Sequence, residues 1–349
     1  MNLSKKTPPH LEQATKAMAQ KEGEFRLISE TFAPLAAGYS GSFNLRDDGA
    51  ILTMQKGREL VVTSDTLVEG VHFLPEDPPH SVGIKTLAVN LSDLAAMGAE
   101  PHAYTLSAAW SPHISTSWIE SFAAALKKLQ ERYHFHLIGG DTVSTPGPLT
   151  LTITAFGLVH IGKSIQRKTA NIGDNVYVTG NIGDSALGLQ LTTNQIEIDL
   201  PCHTKAFLVN RYRQPIPRVE IGNSLYKFAT SAVDISDGLV ADIRHIAQQS
   251  DRRIIIHTSR LPISEAAGTL VKAHPELMKI ILEGGDDYEL AFTAPPKFHD
   301  EIIHLSIKLR TPITVIGSVM AKKIHPADVE VRGDNNQKIK VAGGGYRHF

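Results

Sequence analysis

The residues that could do chemistry in this chain are aspartates at turns between apolar segments. Asp47 and Asp48 stand in Arg-Asp-Asp-Gly, Asp65 in Thr-Ser-Asp-Thr, Asp93 in Asn-Leu-Ser-Asp-Leu and Asp141 in Gly-Gly-Asp-Thr. Asp234 and Asp237 share Asp-Ile-Ser-Asp-Gly-Leu, and Asp286 and Asp287 share Gly-Gly-Asp-Asp-Tyr-Glu-Leu. Asp before Gly is also an ordinary turn, and Asp near a helix start an ordinary cap. Asp93 is harder to reduce to a turn, because it interrupts the apolar helical pattern around Leu91 and Leu94. A buried carboxylate needs a cation or a hydrogen-bond partner. Asp65, closing the apolar run Leu60–Ser64, poses the same demand. Oxygen-only clusters of this type suit Mg²⁺, which takes carboxylates, water and substrate phosphates.

Other chemistries find less support. There is no Gly-x-x-x-x-Gly-Lys-Ser/Thr phosphate loop, no dinucleotide glycine fingerprint, no nucleophile elbow and no His-Glu-x-x-His motif. His134 and His136 flank Phe135 on a short predicted strand, without a nearby Cys or third ligand for zinc. The single cysteine, Cys202, follows a proline in a predicted loop with nothing beside it to activate a thiolate. The run Thr179-Gly180-Asn181-Ile182-Gly183-Asp184 reads as a strand-to-helix turn. Its amides could face an anion, and close helix packing would explain its glycines equally well.

The elements that must position these residues form two mixed series. A helix is expected from about Gly23, strands at Ala50–Met54 and Glu59–Thr63, and a helix through Ile84–Ala95. Strand Tyr104–Ala109, helix Trp118–Tyr133 and strands Phe135–Ile138 and Leu149–Val159 follow. In the last, Thr150, Thr152 and Thr154 alternate with Leu151, Ile153 and Ala155, so one face should be more polar. The polar segment 161–174 is the expected boundary. Beyond it come strand Asn175–Thr179, helices Asp184–Leu191 and Val219–Thr230, strand Ala232–Ile235, helix Leu239–Gln249 and strand Arg253–His257. A strand near Tyr288–Thr293, a helix near Phe298–Leu309 and a strand near Ile313–Ser318 complete the series.

Lys and Arg number 35 against 36 Asp and Glu, a net charge of -1, so no basic footprint points to nucleic acid or a membrane surface. With 42% hydrophobic and 20% charged residues the chain suits a soluble protein with sizeable cores. One cysteine forbids an intrachain disulfide and suits a reducing, cytoplasmic setting. No apolar run reaches the roughly 18 residues of a membrane helix. Residues 1–22 are expected to be a flexible leader and not a secretory signal.

In order, these segments resemble the thiamine-monophosphate kinase family of the PurM-like ATP-binding superfamily. The matching runs are Ser64-Asp65-Thr66-Leu67-Val68-Glu69-Gly70-Val71-His72-Phe73, Ala88-Val89-Asn90-Leu91-Ser92-Asp93-Leu94-Ala95-Ala96-Met97-Gly98-Ala99, Asp234-Ile235-Ser236-Asp237-Gly238-Leu239 and Gly284-Gly285-Asp286-Asp287-Tyr288-Glu289-Leu290. The resemblance implies an α/β fold with mixed sheets and a PurM-like two-domain architecture. Residues 23–160 would form the dimer interface and the metal and nucleotide site, and 161–349 would complete the cleft. It implies ATP-dependent phosphorylation of thiamine monophosphate to thiamine diphosphate by a homodimer using several Mg²⁺ ions. Carried over by position, Asp48, Thr63, Ser64, Asp65, Asp93, Asp141, Asp234 and Asp237 fall at the magnesium sites. Gly140, Asp141, Arg167 and Ser236 fall at nucleotide contacts, and His72, Asp286 and Gly343 on the substrate side.

Three positions depart from the family. Its Gly-x-Gly-Asp-Asp reads Asn44-Leu45-Arg46-Asp47-Asp48 here, Asp286 stands where Glu is usual, and Gly343 where an aromatic often packs on substrate. The rival readings are another ATP-using enzyme of the superfamily, such as an aminoimidazole ribonucleotide synthetase, and a non-catalytic Mg-ATP-binding homologue. The His72 and Asp-Tyr-Glu-Leu runs favour the thiamine branch. The acceptor would be a phosphate monoester, largely a dianion at neutral pH. It needs no general base, which agrees with the absence of an obvious catalytic histidine.

Overall fold

The computed structural model describes residues 23–322, 328–341, 345 and 346. The expected leader, 1–22, and Gly343 lie outside the described residues.

The chain first builds a four-stranded sheet from β1 (Arg58–Val68), β2 (Glu100–Trp110), β3 (His136–Ser144) and β4 (Thr150–His160), in the order β1-β4-β2-β3. β4 pairs antiparallel with β1 and β2, whereas β2 and β3 run parallel, joined through the helix Thr116–Tyr133. The period-two pattern of β4 works as expected: Leu151, Ile153 and Ala155 are fully buried, and the threonines between them half-buried. Ser115 opens the connecting helix by accepting the Trp118 N–H, and His134 closes it in the left-handed conformation.

The second sheet has the order β11-β10-β7-β9-β5-β8-β6. Its strands are β5 (Asn175–Thr179), β6 (Ser231–Asp234), β7 (Arg252–His257), β8 (Leu290–Ala294), β9 (Ile313–Ala321), β10 (Val329–Arg332) and β11 (Lys338–Ile339). β7 and β10 are parallel and the remaining pairs antiparallel. Two mixed sheets with flanking helices agree with the expected α/β class.

The helix Pro79–Ala96 sits between the two halves. It packs on β1 and β4 with one side and on the helix Val219–Leu225, β6 and the helix Cys202–Arg213 with another. Apolar residues therefore surround it, as they must on a helix covered all round. Leu87, Leu91 and Leu94 belong to the core of the first sheet. Ala95 and Ala96 join a bridging cluster with Tyr177, Leu225, Leu290 and Phe292. Any charged side chain on this helix is carried into the protein interior.

Some expected elements differ. Residues 46–57 contain no strand, and Ile51 and Met54 are exposed; without a neighbouring strand, a short apolar run has nothing to pair with. The helix expected at Val219–Thr230 ends at Leu225. Cys202 is not in a loop but opens the helix Cys202–Arg213, whose polar composition hid its period. The helices Glu265–Ala273 and Met278–Glu283 had no counterpart among the expected elements.

Candidate active site

Between the two halves lies a cavity of about 710 Å³. Its wall gathers Ser64, Asp65, His72, Asp93, Asp234, Ser236, Asp237 and Asp286 from sequence segments far apart. β1 delivers Asp65, and the helix Pro79–Ala96 delivers Asp93 to the same point. The two carboxylates share a hydrogen bond. Burial and then the charge of Asp93 push Asp65 up to about 7. Burial also raises Asp93, against a hydrogen bond donated by the Thr63 hydroxyl (2.5 Å) and the positive charge of Arg167. Asp234, at the end of β6, is raised well above the ordinary carboxylate range by burial and then by Asp93 and Asp242.

Asp242 was not among the sequence candidates. It lies in the first turn of the helix Leu239–Gln249 and accepts the backbone N–H groups of Ser236, Asp237 and Gly238 at 3.0–3.1 Å. One buried carboxylate thus shapes the whole Asp-Ile-Ser-Asp-Gly turn and presents Ser236 and Asp237 to the cavity. Burial, and then Asp237, push it up to about 7. The signal that could have found it is the one that singled out Asp93: an acid inside an apolar helical pattern.

The Gly-Gly-Asp-Asp-Tyr-Glu-Leu run divides its acids among three tasks. Asp286 lines the cavity with its backbone at φ 68. Asp287 is fully buried and accepts the N–H groups of Gly183 (2.6 Å) and Ser185 (3.3 Å), capping the helix Asp184–Thr192. The Thr179–Asp184 turn therefore gives its amides to the protein's own Asp287 carboxyl, which burial pushes up to about 8. Glu289 is buried and accepts from Arg211, Arg218 and the Thr179 hydroxyl. Gly180 is required above it: at φ +58, a Cβ there would stand 2.1 Å from the Glu289 carboxylate.

His72 accepts the Val68 N–H at Nδ1 (3.0 Å), which makes Nε2 the protonated nitrogen. Ser64 lines the cavity, but its hydroxyl bonds to Thr154 and to the Ile153 carbonyl on the outer sheet face. Arg167, in the connection between the sheets, is exposed and lies within electrostatic reach of Asp93, Asp234 and Asp242. Tyr346, another residue not singled out from sequence, reaches the cavity and donates its backbone N–H to the Asp237 carbonyl.

Asp48, Gly140 and Asp141 do not join this wall. They line a second cavity of about 300 Å³ against β2 and β3. The loop before Asp48 carries Phe43, Asn44 and Leu45 in the left-handed region, at φ 50, 52 and 57. Arg46 itself has φ -108, so the long side chain brings no backbone strain of its own. Among the described residues, no three His, Cys, Asp or Glu side chains converge closely enough to hold a metal ion. The aspartates share a wall, not a finished coordination sphere.

The model of the family "AIR synthase related protein, N-terminal domain" matches residues 46–159, which contain all but the last residue of the first sheet. A thiamine-monophosphate kinase of Escherichia coli K12 is 38% identical over 332 residues, 94% of this chain and 98% of the relative. The chain belongs to the thiamine-monophosphate kinase family. The crystal structure of thiamine-monophosphate kinase from Stenotrophomonas maltophilia K279a is 40% identical and superposes with a TM-score of 0.76, over 83% of this chain and 90% of that one. AaThiL complexed with AMPPCP and TMP is 28% identical, with a TM-score of 0.74 over 99% of this chain and 100% of that one. The expected PurM-like fold is the one observed, and membership makes the chain an enzyme. Among the described residues no helix is long and apolar enough to cross a membrane.

Proposed function

We propose that this chain transfers the γ-phosphoryl group of ATP to thiamine monophosphate, giving thiamine diphosphate, in one in-line step assisted by several Mg²⁺ ions. The observation that carries this reading is the cavity wall: Asp65, Asp93, Asp234 and Asp237 meet there. The raised Asp65 and Asp93 mark a negative charge in need of a cation, and an all-oxygen donor set fits Mg²⁺. Bound there, Mg²⁺ would offset the repulsion between the acceptor dianion and the ATP phosphates, about 4 kcal/mol per unit-charge pair at 4 Å and an effective dielectric of 20.

The chain's own groups orient the reactants. Nε2–H of His72 suits an acceptor phosphate, and Arg167 a nucleotide phosphate. Asp286 supplies a carboxylate for the amino and cationic groups of thiamine. Direct transfer is supported by the state of the candidate nucleophiles: Nδ1 of His72 accepts a backbone bond, and the Ser64 hydroxyl is engaged on the other sheet face. Asp48, on the loop before β1, and Asp141, on β3, line the second cavity apart from the main wall, so their part in metal binding is the least supported of the set. A homodimer through residues 23–160 is supported by the outer face of the first sheet, where Leu60 and Val62 stand exposed. One sheet in each half supports the division at 160/161, and the lone Cys202 a cytoplasmic setting.

The test is incubation of purified protein with ATP, Mg²⁺ and thiamine monophosphate. Thiamine diphosphate should form, and no ³²P-labelled protein should accumulate from γ-labelled ATP. Absence of product sinks the activity; a kinetically competent phospho-protein sinks the direct step.

A further inference from the structure

Lys85 is a buried charged residue beside the cavity that the proposed chemistry leaves unused. It lies on the helix Pro79–Ala96 with its side chain only 2% exposed. Residues 85, 89 and 93 follow one another at four-residue spacing along one face of that helix. Val89 and Asp93 form part of the cavity wall, so Lys85 lies one turn behind it. Its Nζ stands 3.1 Å from Asp286 Oδ2 and 4.1 Å from the centre of the Tyr212 ring. The ion pair is not aligned as a hydrogen bond, and Nζ has no hydrogen-bond partner. Removing an ammonium from water to this extent is costly unless a counter-charge is held close. Among the described residues, Asp286 is the carboxylate that meets it.

Asp286 also needs holding. Its backbone lies at φ 68 and that of Tyr288 at φ 51, conformations that non-glycine residues adopt at a cost. The Asp286 N–H donates to the Ser236 carbonyl (2.8 Å), and the Tyr288 hydroxyl donates to Asp286 Oδ1 (3.3 Å). Lys85 engages the remaining oxygen. Eight residues of helix, about 12 Å, separate Lys85 from Asp93. Lys85 therefore holds the Asp286 carboxylate from a point more than two helical turns away from Asp93, and that carboxylate on the cavity wall suits N–H donors or positive charge.

We propose that Lys85 is a positioning residue, which fixes the Asp286 carboxylate at the cavity wall and through it sets the affinity for the thiamine end of the acceptor. This rests on the thiamine monophosphate reading above. Lys85 touches Asp286 and not the cavity, so its effect must pass through that carboxylate.

The experiment is steady-state kinetics on Lys85→Met, Asp286→Asn and the double variant, with folding checked by thermal melting. Lys85→Met should raise KM for thiamine monophosphate by about tenfold or more while KM for ATP stays within about twofold. The double variant should be no worse than Asp286→Asn alone, because both changes remove one interaction. Multiplying effects, or equal changes in both KM values, overturn the proposal. If Lys85→Met does not fold, Asp286→Asn decides: an unchanged KM for thiamine monophosphate removes the route through which Lys85 acts. A wild-type protein that makes no thiamine diphosphate would instead refute the functional reading itself.

Discussion

Asp93→Asn should make the metal-free protein more stable and the enzyme much slower. The substitution keeps the side-chain oxygen that accepts the Thr63 hydroxyl but removes the charge. Asp65 beside it is raised from 3.8 to about 7. Each pKa unit is worth 1.36 kcal/mol, so holding Asp65 ionised at pH 8 costs the metal-free fold on the order of 4 kcal/mol. Burial is the larger cause and survives the substitution, whereas the charge of Asp93 is lost. A gain of about 1–2 kcal/mol is therefore expected at pH 8. The sign follows from linkage: a carboxylate raised in the folded state is penalised above its folded pKa and not below its unfolded one. The gain should accordingly shrink as pH falls from 8 to 4. Urea unfolding in EDTA at both pH values reads it directly. In the kinase assay the same variant should lose at least about a hundredfold in turnover, or roughly 2.7 kcal/mol. Opposite signs in the two assays are the signature of a site that crowds charge to hold a cation. A folded Asp93→Asn protein with near-normal turnover, or one less stable than wild type in EDTA at pH 8, refutes the reasoning.

The same crowding predicts that Mg²⁺ raises the melting temperature more at pH 8 than at pH 5, since below about 7 a proton competes for Asp65; equal shifts in differential scanning fluorimetry would count against a carboxylate site. Gly180→Ala should cost at least about 3 kcal/mol in urea unfolding, because its Cβ drives Glu289 away from Arg211 and Arg218 and leaves buried charges unpaired. Val62→Asp, on the exposed outer face of β1, should leave the circular dichroism spectrum unchanged and shift sedimentation from dimer to monomer. A dimer that persists would place the interface elsewhere.

How far the sequence carries this site is best seen in acids that look alike. Asp93 and Asp242 are both carboxylates inside apolar helical patterns, and the pattern correctly says that neither stands free in water: Asp93 is half-buried and Asp242 buried. It cannot say what each faces. Asp93 meets a second carboxylate across the sheet–helix junction, and Asp242 meets three backbone N–H groups in its own turn. Asp286 and Asp287 are consecutive, yet one lines the cavity and the other caps a helix about a hundred residues earlier in the chain. Local spacing fixes which elements form, because burial patterns repeat every two or 3.6 residues. It leaves open which elements meet. The strand expected at Ala50–Met54 shows the converse: an apolar run without a partner stays irregular and exposed. Lys85 combines both lessons. Its place in an apolar helix already required a counter-charge, but the counter-charge lies some 200 residues away, on a loop held at positive φ by bonds to another turn. A charged residue in a helix that packs on both sides therefore reports that a partner must exist, and only the fold reports whether that partner is a structural cap or a wall of the site.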